Sequence, residues 1–109
     1  MSRVPDEISV VELARKRAAG EDFVLLDVRE PEELEIAALD GAVHVPMGQI
    51  PARLETLPRE REIVVMCHGG MRSDSVAHYL RAQGFTRVMN LAGGIDAWSR
   101  EIDSAMPRY

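Results

Sequence analysis

Unbroken hydrophobic runs along the chain are separated by segments with apolar side chains at helical spacing. Residues 23–28 and 63–67 are continuous apolar runs in which polar positions do not alternate with apolar ones. This pattern is typical of strands that are buried on both faces of a parallel sheet. Shorter apolar segments at 41–46 and 87–91 complete the set of predicted strands. The hydrophobic pattern therefore predicts a mainly parallel sheet.

Helical patterns fill the spaces between these strands. Ser9 and Glu12 form a capping-box sequence that begins the first helix, and Gly20 ends it. Further helices are predicted after Glu30-Pro31, over 50–57, over 73–83 and from residue 95. Strands that alternate with helices through short connections indicate an α/β fold, with a mainly parallel central sheet and helices on both faces. With 109 residues, we expect one domain that spans residues 1–109.

Composition and charge disfavour several classes of partner and site. The net charge of −5 would repel nucleic acid and anionic membranes, so neither is an expected partner. No apolar run approaches the ~20 residues that cross a bilayer, and residues 1–7 lack the apolar core of a secretion signal. One cysteine cannot form an internal disulfide, and the absence of a Cys/His cluster at ligand spacing argues against a metal. We expect a cytoplasmic protein.

The only cysteine marks the candidate site. Cys67 ends an apolar run and is followed by Gly69, Gly70 and Arg72, and then by a predicted helix start at Ser73. The two glycines let several backbone N–H groups converge on the sulfur, and the helix N-terminus favours an anion there. The Cys67 thiol should therefore ionise below its free pKa of about 8.5. A lone cysteine is often only a small buried hydrophobe, but this combination of neighbours favours a reactive thiolate.

The motif Cys67-x-x-Gly70-x-Arg72-Ser73 resembles the active loop of the rhodanese-like sulfurtransferase family. Leu26-Asp27-Val28-Arg29-Glu30-Pro31-Glu32-Glu33 is similar to the first signature of that family, and Gly41-Ala42-x-His44-Val45-Pro46 follows at the expected distance. Leu91-x-Gly93-Gly94-x-x-Ala97-Trp98 resembles its C-terminal signature. The segment Ala37-Ala38-Leu39-Asp40 departs from the usual Gly-His-Ile-Pro, and we expect this change to be structural. The resemblance covers nearly the whole chain and implies a rhodanese-like fold.

The resemblance implies a thiosulfate sulfurtransferase-like enzyme that needs no cofactor. A small anionic donor, thiosulfate or a persulfide, would give its outer sulfur to Cys67, and a thiophilic acceptor would then remove it. Arg72 would bind the anionic part of the donor; the alternative is a salt bridge to a nearby acid. His68 either donates a hydrogen bond to the substrate or tunes the thiolate, or it points to solvent and only extends the loop. The residues expected to contact the substrate are His68, Gly69, Gly70, Met71, Arg72 and Ser73.

Two further residues and the tail add to this interpretation. Asp27 and Arg29 are expected to pair with each other or to support the loop from a neighbouring strand end. The tail Ile102-Asp103-x-x-x-Pro107-x-Tyr109 resembles the end of rhodanese domains that are fused to adenylating enzymes of molybdopterin and thiolated-nucleoside synthesis. This similarity raises the alternative of a protein relay, in which a desulfurase or a sulfur-carrier protein is the partner.

Two other functions are alternatives to sulfur transfer. Rhodanese-like loops also resemble those of dual-specificity phosphatases and arsenate reductases, but such phosphatases place five residues between cysteine and arginine. Here four residues intervene, 68–71, and this shorter loop suits a single terminal sulfur better than a phosphoryl group. A rhodanese-like module that only binds partners typically lacks the cysteine, whereas Cys67 is present.

Overall fold

One parallel sheet organises the computed structural model, which describes residues 4–109. Its strands are β1 Glu7–Ile8, β2 Phe23–Asp27, β3 Val43–His44, β4 Glu62–Met66 and β5 Val88–Leu91. They lie in the order β1-β5-β4-β2-β3, and every neighbouring pair is parallel. The predicted parallel sheet is thus confirmed, and β4, which leads to Cys67, is its central strand.

Helices cover both faces of this sheet. They are α1 Val10–Ala18, α2 Pro31–Ile36, α3 Met71–Ala82 and α4 Gly94–Glu101. Because successive strand residues point to opposite faces, Val65 packs in one cluster with Leu80 of α3. Val64 packs in the other cluster with Leu13 of α1 and Trp98 of α4. The predicted arrangement with helices on both faces is confirmed. No helix within residues 4–109 combines the length and the apolar character needed to cross a membrane.

The helix predicted over residues 50–57 is present at Pro51–Thr56, but it is a 3₁₀ helix rather than an α-helix. Two short 3₁₀ segments, Met47–Gln49 and Pro51–Thr56, occupy this region. The backbone N–H of Arg53 donates to the Ile50 carbonyl at 3.1 Å, which is the i→i+3 pattern of a 3₁₀ turn. Pro51 is tolerated as the first residue of its segment, where no N–H donor is needed. Pro58 disfavours helical angles at Leu57, which is extended, so the segment ends after six residues.

The other differences concern where elements begin. Strand β1, only Glu7–Ile8, is too short to show a period in sequence and exists because it pairs with β5. Helix α3 begins at Met71 rather than at Ser73, because Gly70 adopts a φ of 108° and turns the chain directly into the helix. Ser73 therefore lies inside the first turn of α3.

The start of α1 follows the prediction in part. The backbone N–H of Glu12 donates to Ser9 Oγ at 3.1 Å, so Ser9 caps the helix as expected. The carboxylate of Glu12 instead accepts two hydrogen bonds from Arg15, at 2.7 and 2.9 Å. The capping box therefore has its bond from the Glu12 N–H to Ser9, while the exposed Glu12 carboxylate bonds Arg15 on the same helix.

A buried ion pair closes the carboxyl end of β2. Asp27 and Arg29 are both 0% exposed, and Arg29 Nη2 lies 2.7 Å from Asp27 Oδ2. Arg29 also donates to the Ala37 carbonyl at 2.9 Å. The segment 37–40, which departs from the family pattern, thus bonds Arg29 through its backbone and buries Ala37 and Leu39. The expectation that Asp27 and Arg29 pair with each other matches this geometry.

We predict that Asp27→Asn lowers the free energy of unfolding by about 3–5 kcal/mol, because Arg29 would keep its charge in the core without a counter-charge. Asp22→Asn is the matched control. Asp22 also pairs with an arginine, Arg61, at 2.7 Å, but the two side chains are 77% and 45% exposed. Its loss should stay below about 1 kcal/mol. Denaturant unfolding followed by circular dichroism measures both, and equal losses would contradict the dependence on burial.

Candidate active site

Cys67 directly follows the central strand β4, at the edge of the sheet where α/β proteins bind ligands. Cys67 is only 1% exposed. The chain then makes a tight turn through Gly70 into α3, so the loop from Cys67 to Gly70 bends around the sulfur. The candidate nucleophile therefore lies at the edge of the sheet where a ligand can bind, but its side chain is almost fully buried.

Hydrogen bonds from the loop surround the sulfur. The backbone N–H of Gly70 donates to Cys67 Sγ at 3.1 Å, and Ser73 Oγ lies 3.3 Å from the same atom. Burial raises the pKa of the Cys67 thiol, but the Ser73 hydroxyl and the backbone groups of Ser73, Gly70 and Arg72 outweigh burial and hold the pKa below its ordinary value. This geometry favours a thiolate, which is the nucleophilic form of cysteine.

The Ser73 hydroxyl has several acceptors but one proton. Its oxygen lies 2.6 Å from Asn90 Oδ1, closer than to the sulfur. The Asn90 amide in turn donates to the Gly70 carbonyl at 3.2 Å and so holds the loop backbone. Asn90 is 2% exposed and was missed by the sequence analysis. The available signal was a single amide side chain within the otherwise apolar strand β5.

Helix α4 fixes the other side of the loop. The backbone N–H of Ile95 donates to the Cys67 carbonyl, and that of Asp96 to the His68 carbonyl, both at 3.0 Å. This approach requires glycine at position 94. Gly94 has a φ of 59°, and a Cβ there would overlap the carbonyl oxygens of Cys67 and His68. Gly94, the first residue of α4, therefore allows this helix to approach the loop that follows β4.

Arg72 forms an ion pair with Glu33 of α2. Its Nη1 and Nη2 lie 2.7 and 2.8 Å from Oε2 and Oε1 of that carboxylate. Arg72, as the largest cause, lowers the pKa of Glu33 to about 2, against the smaller effect of burial. The alternative given above for Arg72, a salt bridge to a nearby acid, is the arrangement found here. Its binding of the donor anion stays a prediction, and Glu33 was not foreseen as a neighbour of the loop.

Tyr109 folds back onto this pair. Its hydroxyl donates to Glu33 Oε1 at 2.9 Å and accepts from Arg29 Nη1 at 2.9 Å. Its ring packs edge-on against the His68 ring, with centroids 4.2 Å apart. Within residues 4–109, His68 Nδ1 has no hydrogen-bond partner, although that atom is buried. The His68 ring is thus packed against Tyr109 rather than free in solvent, and its contact with substrate stays a prediction.

The remaining predicted residues lie at different depths. Gly69 is exposed, and Met71 is 85% exposed beside a depression of about 270 Å³. Asp27 pairs with Arg29, and Arg29 is connected to Arg72 through Tyr109 and Glu33. Among residues 4–109, no group of three His, Cys, Asp or Glu side chains is arranged to bind a metal ion.

A family model described as Rhodanese-like domain matches residues 9–101. The chain belongs to this family. The putative sulfurtransferase YtwF of Bacillus subtilis is 45% identical to it over 95 residues, which are 87% of this chain and 91% of that protein. Further relatives are also named sulfurtransferases. The solved structure of a rhodanese-like domain protein from Staphylococcus aureus covers 96% of this chain and 99% of its own, at 30% identity and a TM-score of 0.82.

Two relatives of this rhodanese-like protein have names that concern sulfur carriers and adenylating enzymes. The putative sulfur carrier protein YrkF of B. subtilis is 39% identical over 94% of this chain, which spans 55% of YrkF. The probable adenylyltransferase/sulfurtransferase MoeZ of Mycobacterium tuberculosis is 34% identical over 84% of this chain, which spans 24% of MoeZ. The resemblance to rhodanese domains of adenylyltransferase fusions is thereby confirmed.

Ser73→Ala should raise the pKa of the Cys67 thiol by about one unit, because a thiolate loses a hydrogen bond of the strength typical for charged acceptors. The rate of alkylation by iodoacetamide, measured against pH, gives this pKa. Ser75→Ala is the control, since Ser75 is exposed on the same helix. An unchanged midpoint for Ser73→Ala would show that its proton stays on Asn90 and that the backbone alone stabilises the thiolate.

Gly94→Ala should lower the free energy of unfolding by about 1–3 kcal/mol from backbone strain alone, with a further loss from overlap with the loop carbonyls. Gly48→Ala is the control, because Gly48 has ordinary backbone angles and open space around it. Its effect should stay within about 0.5 kcal/mol. Thermal and denaturant unfolding measure both variants. A neutral Gly94→Ala would contradict the close approach of α4 to the loop.

Proposed function

We propose that this sulfurtransferase carries a sulfane sulfur on Cys67 between a donor and a thiophilic acceptor. The observation that carries the proposal is the set of N–H and O–H donors around a buried sulfur whose pKa is lowered. A thiolate held in this way can attack, and a persulfide formed on it has its charge in the same ring of donors.

The first step moves one sulfur atom to the protein. The Cys67 thiolate attacks the outer sulfur of thiosulfate or of a persulfide, and a new S–S bond forms to Cys67. The donor's own bond to that sulfur breaks, and its electron pair leaves with sulfite or with a thiolate. No oxidant or reductant is consumed. The backbone groups of Gly70, Arg72 and Ser73, which already lower the pKa of the thiol, would hold the negative charge of the resulting Cys67 persulfide.

The second step returns Cys67 to the thiolate. A nucleophile such as cyanide or a thiol attacks the terminal sulfur, and the electron pair of the S–S bond returns to Cys67. The loop residues 68–73 are proposed to contact the donor, and Asp27 and Arg29 to support them from behind. In this arrangement Arg72 contributes its backbone N–H, while Glu33 bonds its guanidinium.

A protein acceptor is the second candidate. The names of YrkF and MoeZ connect related rhodanese-like domains with a sulfur carrier and with an adenylyltransferase. The acceptor of this chain would then be a sulfur-carrier protein whose carboxylate is activated as an adenylate, and a desulfurase protein would be the donor. Met71, which is 85% exposed beside the loop, supports this candidate because it leaves a large apolar side chain for a partner.

Cys67→Ser should abolish sulfur loading and lower turnover by more than about a thousandfold, because the nucleophile is lost. Intact mass spectrometry after incubation with thiosulfate, 3-mercaptopyruvate or a cysteine-desulfurase system should show one added sulfur on the wild type alone. The donor that loads the protein identifies the source of sulfur.

Since Cys67 is the only cysteine, the added mass is assigned without ambiguity. Ser75→Ala, an exposed change on the same helix, is the control and should load as the wild type does. Sulfur loading of Cys67→Ser, or hydrolysis of an aryl phosphate in place of loading, would contradict the proposal.

A further inference from the structure

The Glu33 carboxylate uses all of its hydrogen-bonding positions at the edge of the active loop. It accepts two bonds from Arg72, at 2.7 and 2.8 Å, one from Tyr109 at 2.9 Å and one from the backbone N–H of Glu30 at 2.9 Å. A carboxylate offers about four such positions. The Glu33 side chain is 18% exposed, so little water competes for them. Arg72 is therefore held by a carboxylate that two other groups, the Tyr109 hydroxyl and the Glu30 backbone, also fix.

The Tyr109 hydroxyl points its proton at Glu33. Arg29 has only donors, so the hydroxyl must accept the bond from Arg29 Nη1 and give its single proton to Glu33 Oε1. Burial raises the pKa of the Tyr109 hydroxyl, Arg29 lowers it and Glu33 raises it, and the pKa lies above its ordinary value. Tyr109 therefore stays protonated at neutral pH and holds Glu33 in the position where it bonds Arg72.

This arrangement changes which anions the loop can accept. The guanidinium of Arg72 lies within electrostatic range of the Cys67 thiolate, but Glu33 neutralises its charge. The thiolate, Arg72 and Glu33 together carry one negative charge. A dianion such as thiosulfate is repelled more strongly by this charge than a monoanion, and its sulfonate must displace Glu33 to reach Arg72.

We infer that Glu33, positioned by Tyr109, is a specificity-determining residue that makes monoanionic persulfides the preferred sulfur donors of Cys67 and disfavours thiosulfate. The inference rests on the proposed function and narrows its substrate class. With a persulfide donor, a new S–S bond forms between Cys67 and the outer sulfur, the donor's own S–S bond breaks, and the donor leaves as a monoanionic thiolate. Thiosulfate would instead enter as a dianion and leave as dianionic sulfite. No group has to bind a sulfonate, and the Glu33–Arg72 ion pair stays intact during the transfer of sulfur.

The test compares two donors on the same protein. The rate of sulfur gain on Cys67 is measured by intact mass spectrometry with thiosulfate and with hydroxyethyl persulfide, which has no charge outside its persulfide group. Glu33→Gln should raise the ratio of the thiosulfate rate to the persulfide rate by about tenfold, because one negative charge near the donor is removed. Tyr109→Phe should raise the same ratio by about threefold, because Glu33 loses one hydrogen bond.

Glu35→Gln is the matched control, since Glu35 is an exposed acid on the same helix and should leave the ratio unchanged. A purely structural role would slow both donors equally, so the ratio separates the two explanations. Because Tyr109 is 39% exposed, we expect Tyr109→Phe to fold, and this variant tests the inference if Glu33→Gln does not fold.

Three results would count against the inference. If both variants gain sulfur and the ratio of the thiosulfate rate to the persulfide rate is unchanged, the inference is overturned and the proposed function stands. A ratio that falls in Glu33→Gln would overturn it and favour direct donor binding that depends on the Glu33–Arg72 pair. A wild type that gains no sulfur from either donor would overturn the proposed function, and this inference with it.

Discussion

An anion on the buried sulfur of Cys67 loses the hydration that would stabilise it in water, and the fold must replace that hydration. It does so with the Ser73 hydroxyl and with fixed backbone N–H groups, because the guanidinium of Arg72 is bonded to Glu33. N–H groups stabilise a charge only if the backbone that carries them cannot turn away. The contacts to the loop carbonyls, from Asn90 to Gly70 and from α4 to Cys67, meet this requirement.

The main elements of the fold are predictable from sequence because their signals are local. The runs at 23–28 and 63–67 are apolar without alternation, and they form the interior strands β2 and β4, with helices on each side of the sheet. The differences have one distant and one local cause. Strand β1 has two residues and is defined by its pairing with β5, more than 80 positions away. The 50–57 segment has the apolar spacing of a helix, but Pro58 ends it after six residues in the 3₁₀ form.

The site is only partly predictable, because its parts meet through the topology of the chain. The loop from Cys67 to Ser73 and its N–H groups follow from adjacent residues. Glu33 contacts Arg72 across 39 positions, and Tyr109 contacts Glu33 across 76. No periodicity or motif spacing specifies such pairs, since their approach depends on how the sheet places α2, α3 and the tail. Asn90 is the intermediate case: its amide was visible in an apolar strand, but its target was not.

The charges around the sulfur explain why one rigid loop can serve both states of the proposed reaction. The Asp27–Arg29 and Glu33–Arg72 pairs are each neutral, and Tyr109 joins them. The thiolate and the persulfide are both monoanions, so loading the sulfur moves one charge outward by about 2 Å without changing the total. Because both ion pairs are neutral and the N–H groups are fixed, neither has to rearrange when the charge moves to the terminal sulfur. A mobile cationic side chain in the loop would move when the charge shifts to the terminal sulfur, and it would have to return to its first position in every catalytic cycle.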